Sequence, residues 1–151
     1  MTLPGIIEGR TTMEGYKDPT ANAAIGHVMK EYRQAQKAKF RKQYEMTHRK
    51  KVYVVSPYAG DTDANAEAAK RYCRYVIKKR CIPVASHLLY PRILKDDDPN
   101  ERELGLMFGF SLLAVCDEVW VFSERGISEG MRQEIHEAKR LKKMVRIIRE
   151  V

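Results

Sequence analysis

From residue 51 onward, short β-branched apolar runs alternate with longer amphipathic stretches, and nothing else in the chain restricts its fold as strongly. Val52-Tyr53-Val54-Val55, Ile82-Pro83-Val84-Ala85, Glu118-Val119-Trp120-Val121-Phe122 and Val145-Arg146-Ile147-Ile148 have the length and composition of strands. Three helical stretches separate them: an Ala-rich one from about Asp61-Thr62-Asp63 to Arg80, one from Pro99 to about Cys116, and one from about Ser128 to Lys142. Repeated β-loop-α-β units require parallel strands and right-handed crossovers, so residues 51–151 are expected to form a doubly wound α/β domain of about four strands. Pro83 cannot donate to a ladder, which assigns the second strand to a sheet edge. With the first strand central the order is 2-1-3-4, and a ligand crevice opens at the carboxyl ends of strands one and three. The loops at residues 56–61, 86–91 and 123–130 then surround it.

A length of 151 residues suits one such domain and a short appendage. At 44% hydrophobic and 32% charged residues, the chain is too apolar for disorder and too charged for burial in a membrane. No apolar run nears the ~20 residues that span a bilayer, and the N-terminus lacks a signal-peptide pattern, so a soluble, cytoplasmic protein is expected with no membrane partner. Cys73, Cys81 and Cys116 show neither CxxC spacing nor neighbouring His pairs, so no disulfide framework or metal site is expected. Asp98, Pro99 and Glu101 read as a capped helix start, since three adjacent aspartates, Asp96 to Asp98, cannot all converge on one ion.

The formal net charge of +8 is concentrated early: residues 1–50 hold 10 Lys and Arg against 5 Asp and Glu, and residues 51–151 hold 18 against 15. Residues 1–21, rich in Gly, Pro and Thr, read as a flexible leader. Residues 22–50 read as a basic amphipathic helix, with Ile25, Val28, Met29, Tyr32, Ala35 and Phe40 at three-and-four spacing. Such a helix packs on the domain or a partner subunit, or binds nucleic acid; the sequence leaves both open, although no nucleic-acid motif accompanies the charge.

The last helix holds the most informative residue. At ~100° per residue Met131, Ile135, Ala138 and Leu141 form its buried stripe, and Glu134 falls inside that stripe. A carboxylate in an apolar position costs several kcal/mol unless it is hydrogen-bonded or faces a polar cavity, so Glu134 either has a local partner or lines a ligand site. The helix opens on Gly126-Ile127-Ser128-Glu129-Gly130, where Ser128 is a natural N-cap and free amides suit an anion.

Three segments, Val52 to Gly60, Cys116 to Phe122, and Ser128 to Ile135 with Ala138, resemble the nucleoside 2-deoxyribosyltransferase superfamily, and most closely its uncharacterised domain-of-unknown-function branch. The resemblance covers about residues 51–150. It implies a flavodoxin-like sheet, and a glutamate nucleophile four residues after a glycine, here Gly130 and Glu134. It implies a small-molecule nucleoside or nucleotide as substrate, no cofactor, and a homo-oligomer, a dimer in the simplest case, in which a neighbour completes the site. Ser128 stands six residues before Glu134, as in the related 5′-monophosphate N-glycosidases, which favours a nucleotide. Tyr58 matches a tyrosine that orients the nucleophile, or it simply packs its loop. The acid that protonates the departing base has no counterpart, because eight residues before Asp117 stands Gly109. Asp61 could take that role or cap its helix, and His87 could meet a base or phosphate or merely pack. Ser56, Gly60, Gly130 and Met131 complete the expected substrate-binding set. Cleavage or transfer at an N-glycosidic bond is therefore the expected chemistry, with a non-catalytic nucleotide-binding or sensing module as the alternative.

Overall fold

A computed structural model of the chain describes residues 19–151. It divides into two compact units after Thr47. In the first, the described residues form a single helix, α1 (Pro19–Thr47), with no buried residue. Its 29 residues exceed the ~12–15 below which an isolated helix is marginal, and Ala, Lys, Arg and Gln dominate it. His27 and Glu31 meet across one turn at 3.4 Å, and the Thr47 hydroxyl donates to the Gln43 carbonyl at 2.9 Å. The helix begins before residue 22 because Pro19 suits a first turn, whose N–H groups lack partners anyway. The expected leader, residues 1–21, lies through residue 18 outside the described residues.

The second unit alternates β1 (Lys51–Val55), α2 (Thr62–Lys78), β2 (Ile82–Val84), two single 3₁₀ turns (Ser86–Leu88 and Tyr90–Arg92), α3 (Pro99–Ala114), β3 (Glu118–Phe122), α4 (Glu129–Arg140) and β4 (Met144–Ile148). Its four strands are all parallel, in the order β2-β1-β3-β4, with Tyr53 beside both Val84 and Val119 and Val121 beside Ile147. Pro83 lies in the edge strand β2, where its missing donor costs least. Ala85 falls outside β2, and α3 stops at Ala114 rather than Cys116.

Both faces of the sheet are covered, which is why β1 and β3 are apolar without alternation. Tyr53, Val55, Val119 and Val121 pack against Leu113 of α3 and Met131 and Ala138 of α4. Val52, Val54, Trp120 and Phe122 pack against Ala68, Tyr72 and Val76 of α2, with the Tyr72 and Phe122 rings stacked at 4.5 Å. Asp117 ties the amino end of the sheet by accepting the Lys51 amide at 2.8 Å. Among the described residues no helix is long and apolar enough to cross a membrane.

Candidate functional site

At the carboxyl ends of the strands a cleft of about 370 Å³ opens, within the ~300–1,000 Å³ range of small-molecule sites. Ser56, Tyr58 and Ala59 reach it from the loop after β1, and Ser86, His87 and Tyr90 from the turns after β2. Ser128, Gly130, Met131 and Glu134 reach it from the start of α4. A further wall is the amino-terminal part of α3 and its approach: Lys95, Asp96, Glu101, Arg102 and Gly105.

Glu134 sits where its helical phase puts it, only 3% exposed, one turn below Met131 and one above Ala138. Its Oε1 accepts the Tyr53 hydroxyl at 2.7 Å, and Tyr53 in turn lies 2.8 Å from Ser86 Oγ. A tyrosine has one hydroxyl proton, so Tyr53 donates it to the carboxylate and accepts from Ser86. Burial, and then the charge of Glu134, push the Tyr53 hydroxyl far above its ordinary range, so it stays protonated and the bond persists. Among the described residues Glu134 Oε2 has no hydrogen-bond partner. It lies 3.7 Å from His87 Nε2, which is equally without one, a contact that becomes an ion pair when the imidazole is protonated. The His87 ring stacks on Tyr58 with centroids 5.6 Å apart and planes 14° apart. The resulting site is a carboxylate with one oxygen held and the other bare, beside an imidazole and a cleft.

Two expectations for this site need correction. The hydroxyl that holds Glu134 belongs to Tyr53, inside β1, and not to Tyr58; Tyr58 lines the cleft, and its own hydroxyl is shifted upward by burial and by the neighbouring Asp96 charge. Asp61 takes the capping role: its Oδ1 accepts the Ala64 amide at 3.1 Å at the start of α2, and neither it nor Gly60 lines the cleft. Gly60 has φ +98°, so glycine serves the turn itself.

Gly109, at the position where the resemblance calls for an acid, has a physical explanation. A Cβ added there would lie 3.0 Å from the Tyr53 hydroxyl, 3.4 Å from Ser86 Oγ and 3.7 Å from Glu134 Oε1. The space beside Gly109 is taken by the hydrogen-bonded trio, so a side chain there has to displace it. Ser128 caps α4 by accepting the Met131 amide at 3.3 Å, and helix geometry leaves the Glu129 and Gly130 amides unpaired at the cleft.

Several residues of the site carry no signal in the sequence. Tyr53 reads as one more apolar member of a buried strand. Asp96 reads only as one of three adjacent loop aspartates and Glu101 as part of a cap, and Asp98 does cap α3, accepting the Asn100 amide at 2.9 Å. Asp96 instead pairs with Arg102 at 3.3 Å, and Glu101 accepts the Lys95 amide at 2.6 Å, both on the cleft wall. Asn65, 7% exposed, donates to the carbonyls of Tyr58 and Ala59 at 3.1 and 3.0 Å and accepts from Arg125 at 2.9 Å, which joins the loops after β1 and β3.

Comparison with solved structures places the fold. A 2-deoxyribosyltransferase from the psychrotolerant bacterium Bacillus psychrosaccharolyticus superposes with a TM-score of 0.51 at 11% identity, over 64% of this chain and 70% of that one. A 2-deoxyribosyltransferase from Leishmania mexicana aligns at 16% identity and a TM-score of 0.46, over 66% of this chain and 63% of that one. No curated protein matches the chain. The fold is thus nucleoside 2-deoxyribosyltransferase-like. Residues 50–148 match the family described as a domain of unknown function (DUF7768), and the chain belongs to that family.

Proposed function

We propose that the cleft binds a nucleoside or nucleoside 5′-monophosphate and that Glu134 attacks its anomeric carbon. The observation that carries this reading is the buried carboxylate with Oε1 fixed by Tyr53 and Oε2 bare beside the cleft. A nucleophile held by one oxygen loses no orientation on attack, and the fold likeness to 2-deoxyribosyltransferases supports the same chemistry. The Oε2–carbon bond forms as the carbon–nitrogen bond breaks through an oxocarbenium-like transition state, and the base departs with the electron pair. A protonated His87, 3.7 Å from Oε2, is placed to give the base its proton. Water, or a second base, then releases the glycosyl ester and restores Glu134; in the hydrolytic case neutral His87 takes the proton of the water. Among the expected proton donors His87 replaces Asp61, whose carboxylate caps α2.

A 5′-phosphate would meet the Ser128 hydroxyl and the free amides that open α4. The rest of the wall carries Asp96, Glu101 and Glu129 against Lys95 and Arg102, so the amino end of α4 is the favourable place for an anion. We also infer self-association. Leu104, Met107 and Phe108 of α3 and Val115, which follows it, are 46%, 48%, 40% and 67% exposed, while the inner face of α3 is already in the core. A helix that is apolar on both sides is suited to burial on both sides.

The test is base release from a panel of ribo- and deoxyribonucleosides and their 5′-monophosphates, followed by chromatography beside Glu134→Ala. Free base from the unaltered protein alone is the expected result. If the folded protein releases no base from any member, the reaction is excluded. The absence of an acid at Gly109 then favours a binding or sensing module, detectable as ligand-induced thermal stabilisation that is equal in Glu134→Gln.

A further inference from the structure

On the face of the sheet covered by α2, at the end of the strands opposite Glu134, lies a second cleft of about 390 Å³. Lys50, just before β1, Lys79 and Arg80, between α2 and β2, and Arg146 of β4 bring four cations to it, against one carboxylate, Glu118 at the start of β3. Glu118 is 5% exposed and already occupied, 3.1 Å from Arg146 Nε and 3.5 Å from Lys50 Nζ. Lys79 and Arg80 have no carboxylate partner among the described residues. Among the described residues neither the Lys79 ammonium nor the Arg80 guanidinium donates to a carbonyl at the end of α2, where the Arg80 and Cys81 amides bond to Ile77 and Val76 at 2.9 and 3.2 Å. The helix dipole offsets only part of their charge. Trp120 also lines the cleft; it is 5% exposed, and its buried indole N–H has no acceptor among the described residues. An unpaired buried donor is costly to keep, and in a residue that lines a cation-rich cleft it suits an anionic oxygen.

We propose that this cleft binds a phosphate group, with Lys79 and Arg80 balancing its charge and the Trp120 indole donating to one of its oxygens. A phosphate carries several acceptor oxygens for the three groups, which are contributed by the turn after α2 and by β3. The site is separate from the Glu134 cleft and shares no lining residue with it.

Trp120 is the only tryptophan in the chain, so its fluorescence reports on this cleft. The full chain would be titrated with inorganic phosphate at an ionic strength held constant with sodium chloride. A saturable change in emission is expected, weakened at least about tenfold in Lys79→Ala/Arg80→Gly, which loses two charge-assisted contacts, and retained in Glu134→Ala. Arg80 has φ +59°, so glycine relieves strain there, and an unchanged or higher melting temperature confirms that the double variant is folded. A parallel titration with an oligodeoxythymidylate identifies the source of the group. A response to the oligonucleotide alone, lost in the double variant, assigns the cleft to a phosphodiester; a response to inorganic phosphate assigns it to a small phosphate. Emission that responds to neither probe, or responds equally in the double variant, overturns the proposal.

Discussion

At the scale of single residues, the candidate site depends on one hydroxyl and one missing side chain. Tyr53→Phe keeps the ring that packs on Val119 and Leu113 but removes the donor to Glu134. A hydrogen bond to a charged group contributes about 1.5–3 kcal/mol, so base release is expected to fall by about 10- to 100-fold, and the melting temperature is expected to fall as well, because Glu134 is left buried without that donor. Equal rates for the variant and the unaltered protein would show that Glu134 needs no such orientation. Gly109→Ala tests the same trio from the α3 side: its Cβ would stand 3.0 Å from the Tyr53 hydroxyl, forcing a shift of a few tenths of an ångström, and a reduced rate with a native circular-dichroism spectrum is expected. Cys116 gives a pH dependence of stability. Burial raises its thiol from 9.0 to about 11, so the folded state keeps a proton that the unfolded chain loses. Stability is then complete below pH 9 and declines as pH rises toward 11, at up to about 1.4 kcal/mol per pH unit. Urea midpoints measured between pH 8 and pH 11 are expected to fall less steeply in Cys116→Ala than in the unaltered chain.

At the scale of elements, the cleft is held open by contacts between loops rather than by the strands beneath them. Asn65 makes all three of its side-chain hydrogen bonds across the loops after β1 and β3. Replacing it with Ala leaves the Tyr58 and Ala59 carbonyls without that donor and is expected to cost about 1–3 kcal/mol. Hydrogen exchange is the sharper measurement: protection should drop in residues 56–61 and 123–128 and stay intact in β1 and β3. Loss of protection throughout the sheet would instead mean that Asn65 supports the core. The helix caps were legible here from residue type and spacing, since Asp61, Asp98 and Ser128 each accept an amide two or three residues on. Two residues past the end of both α2 and α4 stands a basic residue with positive φ, Arg80 at 59° and Lys142 at 56°, where glycine is the common choice. That feature has no sequence signal, because neither position carries the glycine that usually marks a left-handed turn.

At the scale of the whole molecule, the outer face of α3 sets the expected assembly. Met107→Glu with Val115→Glu places two charges on residues that are 48% and 67% exposed in the single chain, so the fold should tolerate them. Analytical ultracentrifugation is expected to show a dimer for the unaltered protein and a monomer for the double variant; a monomer in both would remove self-association from the proposal. The architecture itself was readable in advance. Alternation of β-branched runs with amphipathic stretches, a proline in β2 and the handedness of parallel crossovers are enough for four strands in the order 2-1-3-4 with a crevice at their carboxyl ends.

Sequence alone determined what depends on periodicity and local chemistry: the strands, the capped helices, the sheet order, and Glu134 as a carboxylate inside an apolar stripe. Tertiary structure alone decided which groups surround that carboxylate. Tyr53, Ser86 and Glu134 are separated by 33 and 48 residues, and their meeting at 2.8 and 2.7 Å follows from strand register and from a glycine on a third element. A strand tyrosine in a buried run looks like packing, because the sequence shows its ring and not the partner of its hydroxyl. The same holds for Asp61 and Asp96, two loop acids alike in one dimension: the direction of the chain leaving β1 turns the first into a cap, and the approach to α3 carries the second to the cleft wall.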